Sequence, residues 1–331
     1  MPQTPTCHFD SRTLHHAFEP LCTTKDSLLT ALSSGGRWGV DAPYSSRGCD
    51  FHWYEPADVC RILSKFDRLY IYGDSFMRGL SQMFMPFLRD GGLTTGHRAT
   101  WRTDDEGTDC VCRAVAEEKR CFWHAALDSD MVWAEAPQTW SCPNVRDVAN
   151  ITCEYLIASY AVRAISNRCV ADFAATAYPL NDEVIANGVS LLRTPPVPNG
   201  RHAFIFGHGA WNSFNATATK LWVQQWEDAF ASAMPAYFAS AVPGSRAFPR
   251  MFMLPHAQSY EKPEKYLVGQ SNLVEMRHAI EVEPWVRERG FDVLGTFNLT
   301  VQAHSPDGTH ASYENNLVKV QMVLNWLDML D

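Results

Sequence analysis

The chain has 331 residues, of which 46% are hydrophobic and 20% are charged, so it is long enough and apolar enough to bury one large core or two smaller ones. Its formal net charge of −9 argues against nucleic acid or an anionic membrane as the main partner. Each apolar run falls short of the ~20 residues that cross a bilayer, so we expect no membrane span in this chain.

The first part of the chain is rich in cysteine and poor in periodic patterns. Residues 1–66 carry four cysteines and are predicted to form a disulfide-tied wrap on the main domain. The main domain is predicted to span 67–331, opening with a strand at 68–73 and a helix at 76–89. An irregular insertion at about 90–150 is expected to shape the substrate cleft.

The second half alternates regularly between strands and helices. A helix at 153–166 and a stiff proline linker at 195–198 come first. The pattern then predicts strands at 202–206, 251–254 and 291–294, and helices at 220–241, 273–289 and 313–330. Such alternation is typical of an α/β protein with a mostly parallel sheet that is covered on both faces.

Cysteines and glycosylation signals indicate the compartment. The ten cysteines all lie between Cys7 and Cys169, and N-glycosylation sequons begin at Asn150, Asn215 and Asn298. Together they favour a disulfide-stapled N-terminal half in the lumen of the secretory pathway (Golgi) or outside the cell. The first residues lack the features of a signal peptide, although entry into the secretory pathway requires one or a membrane anchor. We therefore expect that such a segment has been removed.

A second interpretation of the cysteines is a metal site formed by Cys110, Cys112, Cys121 and His124. The spacing C-x-C-x8-C-x2-H does not match the common structural zinc patterns. The chain also has neither a Walker loop nor a dinucleotide-binding glycine loop. We therefore predict disulfides, no metal and no cofactor.

Two short motifs carry the chemistry. Gly73-Asp74-Ser75 lies between a buried strand and a helix, where α/β enzymes expose a nucleophilic serine. Asp307 and His310 stand three residues apart, just before the last helix. A serine needs a base and an imidazole needs a carboxylate, so we predict Ser75 as nucleophile, His310 as base and Asp307 as its orienting acid. His304 is a second candidate base, without a carboxylate at the same spacing.

These motifs resemble the SGNH hydrolase superfamily and, within it, the PC-esterase group of plant trichome birefringence-like and fungal capsule O-acetylation proteins. Arg78 completes a GDSxxR sequence, and Trp53, Pro56 and Cys60 resemble the W-x-x-P…C lead-in of that group. The DGxH…N…Q…LN ending is matched by Asp307, Gly308, His310, Asn316, Gln321, Leu324 and Asn325. The resemblance covers residues 49–90 and 300–330, and it implies the three-layer α/β/α flavodoxin-like SGNH fold.

Further site residues follow from the same resemblance. The third block of the superfamily, GxND, is altered here to the sequence GHGAWN at 207–212. Asn212, Gly209 and Arg78 are candidates for contacting the oxyanion or the substrate, next to the backbone N–H of Ser75. Asn212 has an alternative role as a helix N-cap, and Arg78 as a salt-bridge partner. The glycine of the second block stays open between Gly96 and Gly107.

Aromatic residues offer a second kind of substrate contact. Trp211, Trp140 and Trp101 are candidates for stacking on sugar rings, although most tryptophans pack in cores.

The predicted function is a serine-dependent carbohydrate O-acetylesterase or O-acetyltransferase that acts on acetylated polysaccharide through an acetyl-Ser75 intermediate. Water as the acceptor gives an esterase, whereas a sugar hydroxyl, together with an acyl donor, gives a transferase. The motifs do not choose between these two. A different class also stays open: a non-catalytic carbohydrate-binding or interaction protein on an SGNH scaffold, since the third block is altered.

Overall fold

A computed structural model describes residues 20–54, 56–63, 65–66, 68–77, 79–80, 162–166, 182, 185–186, 189, 202–233, 248–305 and 308–330. Their centre is a parallel sheet of five strands in the order β2-β1-β3-β4-β5. The strands are Arg68–Gly73 (β1), Val162–Ser166 (β2), His202–Gly207 (β3), Arg250–Met253 (β4) and Asp292–Leu294 (β5). The predicted α/β class with a mostly parallel sheet is confirmed.

Helices surround this sheet. They are Lys25–Ser34 (α1), Pro56–Leu63 (α2), Ala216–Ala233 (α3), Glu264–Gln270 (α4), Asn272–Glu288 (α5), Phe297–Thr300 (α6) and Tyr313–Asp328 (α7). Helical residues also begin at Ser75, directly after β1, and a 3₁₀ turn spans Ala210–Asn212. None of the helices within the described ranges is long and apolar enough to cross a bilayer.

Two buried cores lie on opposite faces of the sheet, since successive side chains along a strand point to opposite faces. On one face, Leu69 and Ile71 of β1 join a core with apolar residues of α1, α2 and α7. On the other face, Tyr70 and Tyr72 join an aromatic core with α3 and α5. That second core contains Phe204, Phe206, Trp222, Trp226, Phe230 and Phe291.

The N-terminal segment shares the first of these cores. A disulfide joins Cys22 to Cys49 and encloses α1, which contacts β5, α6 and α7. Ser33 Oγ also accepts a hydrogen bond from the backbone N–H of Gly295 at 2.9 Å. One disulfide is thus present in the cysteine-rich N-terminal part, and the helix that it encloses packs on β5, α6 and α7.

One predicted helix is wrong where the structure describes it. Residues 162–166, at the end of the helix predicted over 153–166, form strand β2 and pair in parallel with β1 from Leu69 to Gly73. Two β-branched residues in five favour a strand, and the free side of β1 supplies the hydrogen-bonding partner. The insertion at 90–150 and the linker at 195–198 lie outside the described residues.

Candidate functional site

The Gly73-Asp74-Ser75 motif forms a tight turn at the carboxyl end of β1. Gly73 has a φ of +155°, and a Cβ there would lie 1.9 Å from the carbonyl oxygen of Gly207, so only glycine lets β1 and β3 end this close together. Asp74 is buried, and its carboxylate accepts hydrogen bonds from Phe76 N (3.0 Å) and Ala210 N (2.9 Å). Asp74 therefore ties the turn after β1 to the turn after β3, and it leaves Ser75 at the start of the helix.

The second motif forms the loop that precedes α7. Gly308 has a φ of +76°, and a Cβ there would lie 2.1 Å from the backbone nitrogen of Lys262. The loop is held by Ser305 Oγ, which donates to the carbonyl of His310 at 2.7 Å, and by Ser259 N, which donates to the carbonyl of Gly308 at 3.2 Å. Glycine is thus required at this position, because the chain after β4 passes directly against it.

The two motifs meet at the carboxyl edge of the sheet. The rings of Phe76 and His310 contact edge to face, with their centroids 6.0 Å apart. Ser75, which directly precedes Phe76, is only 3% exposed, and His310 is half-buried. The structure thus brings the predicted base beside the residue that follows the predicted nucleophile. Asp307, Arg78, Trp101 and Trp140 lie outside the described residues.

The altered third block follows β3. The Asn212 amide nitrogen lies 3.3 Å from Nδ1 of His208 and 3.5 Å from Oγ1 of Thr219, so it contacts the turn after β3 and helix α3. Asn215 caps α3 instead of Asn212, because its Oδ1 accepts from the backbone N–H of Ala218 at 2.9 Å. The part of Asn212 in holding an oxyanion stays a prediction.

Gly209 and Trp211 lie in the same turn as Asn212. Gly209 has a φ of +152°, and a Cβ there would lie 2.6 Å from the ring of Phe214. Trp211 is 37% exposed, so its ring is open to contact from solvent. Its role in sugar stacking stays a prediction.

His304, the second candidate base, lies at the surface. Its Nδ1 is 3.2 Å from a carboxylate oxygen of Glu261, a partner that sequence spacing did not reveal. Its side chain is about half exposed, whereas His310 contacts Phe76.

A buried polar network lies beneath the two motifs, and sequence reasoning missed it. Lys319 Nζ lies 2.9 Å from Nδ1 of His256, whose Nε2 donates to the Thr309 carbonyl at 2.8 Å. Lys262 Nζ donates to Thr309 Oγ1 at 2.7 Å and to Gln258 Oε1 at 2.8 Å. The available signal was a lysine within the otherwise apolar run of α7, since a buried lysine needs a partner.

Burial changes the charges in this network. It raises the pKa of the Glu275 carboxyl to about 9, although the hydrogen bond from Gln258 acts in the opposite direction. It lowers the pKa of the Lys319 amine to about 7, while the nearby Asp74, and Glu275 where it is ionised, act to raise it. Glu275 is therefore mostly neutral near pH 7, whereas Lys319 changes its charge near pH 7.

A second buried pair lies behind Gly209. His208 Nδ1 and His278 Nε2 contact the same hydroxyl, Thr219 Oγ1, at 2.9 and 3.0 Å. Burial, together with the neighbouring His208 and Lys220, lowers the pKa of His278 to about 3. His278 is therefore neutral at physiological pH.

No group of three or more histidine, cysteine or acidic side chains is placed to hold a metal in the part of the chain that the structure describes. The alternative cysteine–histidine set at 110–124 lies outside that part.

An exposed apolar stripe, not foreseen from the sequence, runs along α5. Leu273, Met276 and Ile280 are spaced three and four residues apart and are 58%, 48% and 70% exposed. Val268 of α4 is also exposed. An exposed apolar stripe is a surface that a long acyl chain could contact, so it bears on whether the substrate is an acetyl ester or a longer acyl ester.

Comparison of this chain with protein-family models, curated proteins and solved structures finds no match. Any functional conclusion therefore depends on the chemistry of the site itself.

Proposed function

We propose that this chain is a serine-dependent carbohydrate O-acetylesterase or O-acetyltransferase that acts on acetylated polysaccharide through an acetyl-Ser75 intermediate. One observation carries the proposal: Ser75 begins a helix at the carboxyl end of β1, and His310 contacts the very next residue, Phe76. A serine and a histidine at that edge of a parallel sheet are the two groups that acyl transfer requires.

In the proposed mechanism, His310, oriented by Asp307, takes the hydroxyl proton of Ser75 while Ser75 Oγ attacks the acetyl carbonyl carbon. The oxyanion accepts hydrogen bonds from the backbone N–H of Ser75 and from Asn212 or Arg78. The sugar hydroxyl leaves with the proton from His310, and acetyl-Ser75 remains. Water or a second sugar hydroxyl then attacks this ester, with His310 again acting as base.

Strand order supports the proposed SGNH-type fold. The order β2-β1-β3-β4-β5 is that of flavodoxin-like sheets, whose ligands bind where the order reverses, outside the carboxyl ends of the strands. Here the reversal lies between β1 and β3, and these strands are followed by Ser75 and by the turn at 207–212. The candidate residues thus lie where this architecture places its sites.

Two segments of this chain resemble the PC-esterase group, the lead-in around Trp53 and the ending on α7, and contacts between them support membership of that group. Asn325 of α7 accepts a hydrogen bond from the backbone N–H of His52 (2.8 Å) and donates to its carbonyl (2.7 Å). Gln321 does the same with the N–H and carbonyl of Tyr54, at 2.8 and 3.0 Å. Two residues of the PC-esterase-like ending, Gln321 and Asn325, therefore hold the backbone on both sides of Trp53 in the PC-esterase-like lead-in.

The test is mass spectrometry of the intact protein after brief exposure to p-nitrophenyl acetate, for the wild type and for Ser75→Ala. We expect a transient acetyl adduct in the wild type, with adduct and p-nitrophenol release both lost in the variant. Ser34→Ala, which changes an exposed serine at the end of α1, is the matched control and should behave as wild type. Equal release from all three proteins would remove the proposal and favour the binding-protein alternative.

Two additions to this experiment identify the acceptor and the acyl group. Acetylated and deacetylated glycans added after acylation separate hydrolysis from transfer, because only transfer adds acetyl mass to the glycan.

A p-nitrophenyl ester with an eight-carbon acyl chain tests the stripe on α5. If this ester acylates the protein faster than the acetate does, the preferred substrate is a longer acyl ester and not an acetylated polysaccharide.

A further inference from the structure

We propose that His256, oriented by Lys319, is a positioning residue that connects the turn of Ser75 to the loop of His310 and thereby sets the geometry between nucleophile and base. This inference rests on the function proposed above. His256 lies in the segment after β4, outside both sequence motifs, and only the fold brings it to the site.

The hydrogen bonds of His256 define its tautomer. A carbonyl oxygen only accepts, so the contact at 2.8 Å from Nε2 to the Thr309 carbonyl places a proton on Nε2. In the neutral ring Nδ1 is then an acceptor, and Lys319 Nζ at 2.9 Å is its donor. An amine carries N–H groups in both of its protonation states, so Lys319 supports the same tautomer on either side of its own titration.

The ring of His256 also packs on the nucleophile side of the site. Its centroid lies 3.9 Å from that of Phe76, which directly follows Ser75. Its Nε2 holds the carbonyl of Thr309, which directly precedes His310. One imidazole thus contacts the chain neighbours of both the predicted nucleophile and the predicted base.

Lys319 is well placed to hold this ring. It is almost completely buried in the middle of α7, whose apolar residues share the first core with Leu69 and Ile71 of β1. The acidic side chains that act on it are Asp74, in the turn of Ser75, and Glu275, on α5. An amine in such surroundings has a restricted range of positions, so its contact with Nδ1 fixes the plane of the His256 ring.

The test compares His256→Phe, which keeps a ring against Phe76 but loses both hydrogen bonds, with His256→Gln, whose amide can still donate to the Thr309 carbonyl. With p-nitrophenyl acetate we expect kcat to fall about 100-fold in His256→Phe with KM unchanged, because a small misplacement of reacting groups costs about that much. His256→Gln should recover to within about tenfold of the wild type. Rates are corrected for the folded fraction, measured by near-ultraviolet circular dichroism.

The role of Lys319 is tested without reference to activity. In protein labelled with ¹⁵N-histidine, the imidazole shifts of His256 should show a protonated Nε2 and a bare Nδ1, and Lys319→Met should shift the Nδ1 resonance. A protonated Nδ1 in the wild type would overturn the assignment.

The activity outcomes separate the two proposals. An acylated, active wild type whose rate is unchanged in His256→Phe, or falls equally in Phe and Gln variants, would overturn the positioning role alone. A wild type that forms no adduct would overturn the proposed function and this inference with it.

Discussion

At the scale of single residues, Glu275 shows how the fold controls charge next to the site. One carboxyl oxygen accepts from Gln258 Nε2, and the other has no hydrogen-bond partner among the described residues. A buried carboxylate with one unpaired oxygen is costly, so the side chain keeps its proton, with its pKa raised from 4.5 to about 9.

This charge state predicts a pH-dependent effect of Glu275→Gln. Between the two pKa values the folded chain holds a proton that the unfolded chain releases, so the contribution of Glu275 to stability is complete below pH 4.5 and is lost as the pH rises towards about 9. Glutamine stays neutral, so the variant should gain stability relative to the wild type with rising pH. The gain is at most about 1.4 kcal/mol per pH unit.

Urea unfolding of both proteins at about pH 5 and about pH 8 measures this difference. Taking the difference removes the opposing titration of His278, which is common to both proteins. The part of the Lys319 titration that depends on Glu275 remains in the difference. Glu281→Gln, an exposed change on the same helix, should show no such trend. A stability difference between Glu275→Gln and the wild type that does not vary with pH would mean that Glu275 is ionised in the folded protein.

The same scale shows what a sequence can reveal of this site. Gly73 and Gly308 mark their motifs because backbone from another segment lies within 2.1 Å of where a side chain would begin, and this constraint leaves a local signature. Lys319 leaves only the weak signal of a lysine in an apolar helix, and His256 leaves none, since the two residues lie 63 positions apart and meet only in the folded chain. Motifs therefore indicated the reacting groups and missed the groups that support them.

At the scale of elements, α7 is more than the apolar helix that its pattern predicts. Its predicted range, 313–330, agrees closely with the observed helix, Tyr313–Asp328. Gln321 and Asn325, however, are buried and hold the backbone at 52–54 as a neighbouring strand would. Periodicity located the helix, but it gave no partner for these amides. For β2, local pattern alone was misleading, because its partner β1 lies about 90 residues away in sequence.

We predict that Asn325→Ala destabilises the fold. The change removes two part-buried hydrogen bonds to the N–H and carbonyl of His52, and each such bond contributes about 0.5–1.5 kcal/mol. A loss of about 1–3 kcal/mol is therefore expected in urea unfolding. Glu314→Ala, at an exposed position in the first turn of α7, should change stability by less than about 0.5 kcal/mol. Similar small losses in both variants would show that the backbone at His52 finds other partners.

At the scale of the whole molecule, α1 packs against β5, α6 and α7, and this packing bears on how the chain is modified. Asn298, in α6, is half-buried, and its Nδ2 donates to the Ser33 carbonyl of α1 at 3.0 Å. The threonine of the same sequon, Thr300, is buried, and its Oγ1 accepts from Ala257 N at 2.8 Å. A glycan on Asn298 would be attached to Nδ2, between α1 and α6, and would displace its hydrogen bond to Ser33.

Asn215 has the opposite surroundings. It and Thr217 are exposed at the start of α3, and its cap uses Oδ1, so a glycan on Nδ2 leaves the cap intact. For protein produced through a secretory pathway, we therefore expect high occupancy at Asn215 and little at Asn298. Mass spectrometry before and after peptide N-glycosidase treatment measures this, with Asn215→Gln and Asn298→Gln as paired variants. Loss of glycan mass in the second variant and not in the first would show that the sugar is added before α6 packs on α1, and that the folded protein accommodates it there.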